Sequence, residues 1–141
     1  MIIFTIVNCI VFCLIAALHI YWAFGGKWGM ANVIPKLEGK PLFQPGRIST
    51  LIVASGLLGF AAIHVRALGC FTIGSASIIG YILLIIVAIF SIRSIGDFNY
   101  IGLFKKKKSS SFAIWDTKLY VPLCILIAFN SFITYWFVLC N

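Results

Sequence analysis

The sequence predicts an all-α integral membrane protein, a four-helix bundle that runs up-down-up-down with both termini extracytoplasmic. Two observations predict the membrane location. First, 62% of the 141 residues are hydrophobic and 10% are charged. A soluble domain is about half apolar and could not bury this much apolar surface at this size. Second, four stretches approach or exceed the length of about 20 apolar residues that crosses a bilayer. Residues 1–141 are interpreted as a single transmembrane domain.

The predicted spans are long apolar segments without any Asp, Glu, Lys or Arg, and they cover residues 2–24, 48–65, 70–92 and 119–140. Helices are expected because isolated strands could not pair their backbone groups in lipid. The first span is too long for the apolar region of a signal peptide and has no basic segment before it. The short turn Arg66–Gly69 predicts a close antiparallel hairpin of the second and third spans. Asn130, in the middle of the fourth span, is expected to hydrogen-bond to another helix.

The orientation of the bundle follows from the distribution of Lys and Arg, because loops rich in these residues stay in the cytoplasm. Ten of the eleven basic residues fall in the loops at 25–47 and 93–118: Lys27, Lys36, Lys40, Arg47, Arg93, Lys105, Lys106, Lys107, Lys108 and Lys118. Both loops are therefore predicted to be cytoplasmic. The three acidic residues, Glu38, Asp97 and Asp116, lie in the same loops. The run from Lys105 to Ser111 is expected to be solvated.

Composition also limits the partners and cofactors of the chain. The net charge of +8 does not indicate nucleic acid, because the basic residues flank hydrophobic runs and do not form a patch on a soluble face. The expected partners are membrane lipids, with another membrane protein or a second copy of the chain as further candidates. No metal site and no cofactor are expected, since the five cysteines form no Cys-x-x-Cys pair and the predicted topology puts His19 and His64 near opposite faces of the membrane.

Polar and aromatic residues that are distant in sequence meet at the predicted cytoplasmic end of the spans. The ligand-binding candidates are Tyr21, Trp22, Trp28, Gln44, Arg93, Trp115 and Asp116, and the acid–base candidates are His19 and Asp97. His19 lies one turn inside the first span, where an ionisable group is costly and usually faces the bundle interior. A structural interpretation stands beside the functional one, because Trp and Tyr concentrate at membrane interfaces regardless of function.

A polar network among these residues is also predicted. Arg93 and Asp97 are four residues apart, so a helix that continued past Arg93 would present them on one face as an ion pair. An Arg near the hydrocarbon needs an anionic partner, since leaving it unpaired costs about 3 kcal/mol. We therefore expect Arg93, Asp97 and Asp116 to form one network with His19.

Several motifs occur in a recognisable order along nearly the whole chain: His19–Gly29, Val33–Pro35, Pro41–Gly46, Arg93–Gly102, Phe112–Thr117 and Tyr120–Cys124. This order resembles a family of small bacterial membrane proteins, the domain-of-unknown-function family numbered 3995. The resemblance implies four spans and a location in the bacterial inner membrane. It brings no activity with it.

Two functions of different classes fit these observations. The favoured one is a non-catalytic partner or accessory protein whose bundle packs against another membrane protein. The alternative is a protein or enzyme that binds a lipid or an amphipathic small molecule in a pocket at the cytoplasmic interface, with Arg93 as charge partner and tryptophans as apolar walls. Catalysis is left open. A proton-coupled exporter is disfavoured because no carboxylate lies within a span.

Overall fold

A computed structural model describes residues 1–37, 40–41, 43–70, 74–97, 99–106 and 110–140. Within these ranges the helices are α1 (Ile2–Ala23), α2 (Met30–Val33), α3 (Arg47–Ala67), α4 (Ala76–Ile95), α5 (Ser111–Trp115) and α6 (Val121–Cys140). A two-stranded antiparallel ribbon of β1 (Lys36–Leu37) and β2 (Lys40–Pro41) lies between α2 and α3, with Lys36 opposite Pro41.

Four helical segments are long and apolar enough to cross a membrane: Ile2–Ala23, Arg47–Ala67, Ala76–Ile95 and Ser111–Cys140. The prediction of a multi-pass membrane protein with a helical bundle is therefore confirmed. The third segment begins later than residue 70, where the sequence predicted it; residues 71–73 of that predicted span lie outside the described residues. The fourth begins before residue 119, so Trp115 and Asp116 lie inside the helix.

A π-helical turn at Asp116–Tyr120 joins α5 to α6. Pro122 follows it directly and has no backbone N–H, so the ordinary α-helical bond from residue 122 to residue 118 cannot form. Irregularities within a helix occur mainly at prolines and at single π-helical turns, and here the two are adjacent. As a result, the helix continues through the stretch that the sequence analysis assigned to a loop.

The bundle consists of two closely packed helix pairs, α1 with α3 and α4 with α6. Both pairs are antiparallel. Asn8, early in α1, contacts His64, late in α3, and Gly80, early in α4, lies against Tyr135 and Leu139 near the end of α6.

The close hairpin predicted for the second and third spans is wrong. In the described part of the chain α3 touches α4 at only a few positions. Gly56 and Gly59 of α3, small residues that would allow another helix to approach closely, are exposed, and a Cβ added to either would meet nothing within 4 Å. A short connection brings the ends of two helices together without making them each other's main packing partner.

An apolar core joins the two helix pairs. The ring of Phe12 is completely buried, and its centroid lies 5.7 Å from that of Phe60 and 5.6 Å from that of Phe90. The other core residues are Ala16, Leu57, Ala61, Ile79, Leu83, Ile86 and Ile127. Large apolar side chains such as Ile3 and Ile48 point outward and are exposed, as expected for helices that face lipid.

A hydrogen-bonded polar cluster is buried between α1, α3 and α6. The Asn8 side-chain amide donates to Ser131 Oγ at 3.0 Å, lies 3.2 Å from His64 Nε2, and accepts at Oδ1 from Asn130 Nδ2 at 3.2 Å. His64 Nδ1 lies 2.9 Å from the Phe60 carbonyl oxygen. Because a carbonyl only accepts, Nδ1 carries the hydrogen and Nε2 is left as the acceptor. The predicted interhelical hydrogen bond of Asn130 is confirmed.

Candidate functional site in a cleft at one end of the bundle

A cleft of about 520 Å³ opens where α1 ends and α3 begins. Its walls come from the end of α1, from α2, from the segment before α3 and from the first two turns of α3. The described lining residues are His19, Trp22, Met30, Val33, Ile34, Phe43, Gln44, Pro45, Gly46, Ser49, Thr50 and Val53. Most are apolar, with a few polar groups among them. This volume and this composition are typical of sites for small molecules.

The turn after α1 sets the position of the tryptophan in the cleft. Gly25 has a φ of +94°, a conformation that only glycine adopts without strain, and it lets the chain leave the helix after Ala23. The chain then folds back, and Trp22 Nε1 donates to the Trp28 carbonyl oxygen at 2.8 Å. This bond fixes the indole of Trp22 at the cleft wall. The ring of Trp28 itself is 73% exposed.

The short helix α2 forms one wall of the cleft and is held from the far side. Ser111 Oγ donates to Asn32 Oδ1 at 2.6 Å, and the Tyr120 hydroxyl donates to the Asn32 carbonyl oxygen at 3.3 Å. Both partners belong to the helical segment Ser111–Cys140, and Ser111 lies within the second basic loop as the sequence predicted it. The two basic loops therefore meet at the same end of the bundle.

His19 is half-buried and has one ring nitrogen committed to its own helix. Its Nδ1 lies 2.8 Å from the Ile15 carbonyl oxygen, so Nδ1 carries the hydrogen. In the neutral ring Nε2 is then a hydrogen-bond acceptor, with no bonded partner among the described residues. The ring packs edge-on against Trp22 with centroids 5.2 Å apart. His19 can thus bind a donor group in the cleft.

The structure divides the predicted site residues among different places. His19, Trp22 and Gln44 come together in the cleft. Tyr21 and Trp28 lie on the neighbouring turns without lining it, and Trp115 is exposed on α5. Tyr21 does not line the cleft although its neighbour Trp22 does, because adjacent residues on a helix point about 100° apart.

Arg93 and Asp116 form a separate cluster where α4 ends. The Asp116 side chain is fully buried; its Oδ1 accepts from Arg93 Nη2 at 2.9 Å, and its Oδ2 accepts from Lys105 Nζ at 3.0 Å and from the Gly102 N–H at 2.8 Å. Lys105 Nζ also donates to Thr117 Oγ1 at 2.6 Å. The Arg93–Asp116 part of the predicted network is therefore present.

Lys105 belongs to this cluster although the sequence does not indicate it. Its side chain is only 3% exposed, whereas the sequence predicted a solvated run from Lys105 to Ser111. That prediction is wrong for Lys105; residues 107–109 lie outside the described residues. A run of four lysines carries no signal that one of them is buried, because only the position of Asp116 in space decides it.

The predicted ion pair of Arg93 with Asp97 is wrong. Helix α4 ends at Ile95 and Gly96 has a φ of +84°, so Asp97 leaves the helical face that Arg93 occupies. Asp97 Oδ1 instead accepts from the backbone N–H groups of Asn99, Tyr100 and Ile101 at 3.0, 2.7 and 2.9 Å. Asp97 closes its own loop, and in the described part of the chain neither it nor His19 is hydrogen-bonded to the Asp116 cluster.

The Asp97 carboxyl should titrate below its ordinary pKa of 3.8. Slight desolvation raises the pKa, but the N–H groups of Ile101, Tyr100 and Asn99 favour the charged form and outweigh it. The loop is therefore fully stabilised above pH about 4 and loses this contribution only as the pH falls through the lowered pKa. We expect the ¹³Cγ shift of Asp97 in micelles to titrate with a midpoint below 3.8, together with the three amide shifts. Amide shifts that do not follow the carboxyl would contradict this account.

Comparison with known proteins identifies one family. A family model described as "Protein of unknown function (DUF3995)" matches residues 12–130. No curated protein and no solved structure matches the chain. The matched range contains all the described residues that line the cleft and the whole Asp116 cluster.

Proposed function

The chain belongs to the family of proteins of unknown function DUF3995, and from that premise we propose that it is a multi-pass membrane protein that binds an amphipathic molecule in the cleft between α1, α2 and α3. The observation that carries this proposal is the cleft itself. It has a volume of about 520 Å³ and mainly apolar walls, and it lies at the ends of helices that are apolar enough to cross a membrane.

The cleft supports an amphipathic occupant because its walls offer two kinds of contact. Val33, Phe43 and Val53 provide apolar surface, and His19 and Gln44 provide polar groups. A molecule with an apolar chain and a polar head could satisfy both, whereas a fully polar solute would leave the apolar walls without a partner.

We place the cleft on the cytoplasmic side of a bacterial inner membrane. The distribution of Lys and Arg supports this orientation, and so does the contact of Asn32 with Ser111 and Tyr120, which joins the two basic loops at one end. In this arrangement the helices run up-down-up-down and both termini are extracytoplasmic.

The proposed role is binding without catalysis. His19 bonds to no carboxylate among the described residues, and Asp97, the other acid–base candidate, is held by backbone N–H groups outside the cleft lining. The accessory role that the sequence favoured stays a prediction, and the experiment below tests it at the same time.

The test is native mass spectrometry of the protein purified in a mild detergent, with a variant that fills the cleft. Val53→Trp adds bulk at a lining residue, and Leu58→Trp is its matched control, since both lie on α3 and are 47% and 45% exposed but only Val53 lines the cleft. We expect one bound lipid-like molecule per chain in the wild type and in Leu58→Trp, and its loss in Val53→Trp. Retention of a stoichiometric protein partner without any such molecule would favour the accessory role.

A further inference from the structure

We propose that the cleft takes an anionic amphipath, a membrane lipid whose negatively charged headgroup lies at the rim formed by Arg47 and Lys36 while its chain lies against the apolar walls. This inference rests on the proposed function and narrows its ligand to one charge class. Two properties support it, the basic residues that adjoin the cleft lining and the apolar volume of the cleft; the polar groups inside the cleft bear on where the headgroup lies.

Two basic residues adjoin the cleft lining along the chain. Arg47 directly follows the lining residue Gly46, and Lys36 follows the lining residue Ile34 by two positions. Both basic side chains are exposed. The ion pairs within the described residues all involve Asp116, so neither charge is neutralised there. No acidic residue occurs among the described lining residues.

The segment that contains most of the cleft lining, residues 25–47, also carries a net positive charge. Residues 25–47 contain four basic residues and a single acid, Glu38, which lies outside the described residues. A net positive segment next to an apolar cleft is complementary to a headgroup that carries net negative charge. A zwitterionic headgroup would bring its own positive charge to the same rim.

The polar groups inside the cleft are mainly acceptors. Ser49 and Thr50 both donate their hydroxyl hydrogens to the Gly46 carbonyl oxygen, at 2.8 and 2.9 Å, so their oxygens are left to accept. His19 also offers an acceptor at Nε2, because Nδ1 carries the ring hydrogen. These groups suit a hydroxyl or amide of the lipid, whereas the negative charge itself is best placed at the rim.

A basic rim alone would attract any anionic membrane surface, so the apolar volume is what makes this a defined site. Val33, Ile34 and Val53 line a cleft with room for part of an acyl chain. A lipid seated there would be held at one to one, unlike the lipids that gather loosely around a charged loop. Stoichiometry and position therefore distinguish the two kinds of binding.

The experiment is a titration of the delipidated protein with phosphatidylglycerol or phosphatidylcholine of identical chains, followed by native mass spectrometry. We expect phosphatidylglycerol to bind at one per chain and more tightly than phosphatidylcholine. Arg47→Gln should weaken phosphatidylglycerol binding about fivefold and leave phosphatidylcholine unchanged. Lys106→Gln is the matched control, since Lys106 is exposed and basic but does not line or adjoin the cleft; it should have no effect.

The outcomes separate this inference from the proposed function. Equal binding of the two lipids, with both displaced by Val53→Trp, would overturn the anionic preference and leave the cleft as an amphipath site. An equal loss in Arg47→Gln and Lys106→Gln would indicate diffuse attraction and overturn the inference. Competition by glycerol phosphate alone would also overturn it, because the occupant would then need no chain. Absence of one-to-one binding of either lipid would overturn the proposed function as well.

Discussion

Replacing Asp116 with Asn is expected to lower the free energy of unfolding by about 3–5 kcal/mol, the usual cost of leaving a buried charge without its partner. The Asp116 carboxylate is fully buried and accepts from Arg93, Lys105 and the Gly102 N–H. After the substitution, Lys105 would lose its anionic partner in a site where its side chain is 3% exposed. The Arg93 side chain is 33% exposed, so water screens the contribution of the Arg93–Asp116 ion pair to stability. We therefore expect a loss at the lower end of this range. Equilibrium unfolding in mixed micelles measures the loss.

The matched control is Asp97→Asn, which removes the same charge from an exposed carboxyl. The Asn oxygen can still accept from the loop N–H groups, so we expect a change within about 1 kcal/mol. Comparable losses in the two variants would contradict the assignment of Asp116 as the buried partner. A second pair tests the lysine: Lys105→Met should destabilise the protein, and Lys106→Met, at an exposed position, should be close to neutral.

Gly96→Ala is expected to have the second largest effect, a loss of about 2–4 kcal/mol. Gly96 has a φ of +84° and a ψ of −168°, a conformation that costs a residue with a Cβ about 1–3 kcal/mol. The added Cβ would also overlap the Ile101 carbonyl oxygen and the Gly102 Cα. These are backbone atoms, so the loop itself would have to move. That movement would disturb the bond from Leu103 N–H to the Ser94 carbonyl oxygen and the bond from Gly102 to Asp116.

Gly25→Ala separates the cost of the backbone conformation from the cost of the overlap between the added Cβ and neighbouring backbone atoms. Gly25 has a similar φ of +94°, but a Cβ there would meet nothing within 4 Å. It should therefore show the conformational cost alone. Hydrogen exchange of the Gly102 amide should become faster in Gly96→Ala and stay unchanged in Gly25→Ala. Equal destabilisation of the two variants would mean that the loop yields easily at Gly96.

The predicted site residues were placed by one constraint, the membrane interface. That constraint brings His19, Trp22 and Gln44 to the same end of the bundle, where they line one cleft. It carries no information on which residues at that end touch each other. The Arg93–Asp97 pair assumed that α4 continues, and the glycine at 96 followed by another at 102 was the available signal that the helix ends there.

The sequence by itself determined the membrane character of this protein and its four long helices, because lipid demands about 20 apolar residues for each span and tolerates few charges within it. Both requirements concern the length and composition of a single segment, so they can be recognised without knowing which segments contact each other. Only the tertiary structure decided the pairing of α1 with α3 and of α4 with α6, the burial of Lys105 beside Asp116, and the cleft between α1, α2 and α3. Each of these depends on contacts between side chains from segments that are distant in sequence. Lysines of one run are identical in sequence, so only a contact such as that of Lys105 with Asp116 distinguishes one from another.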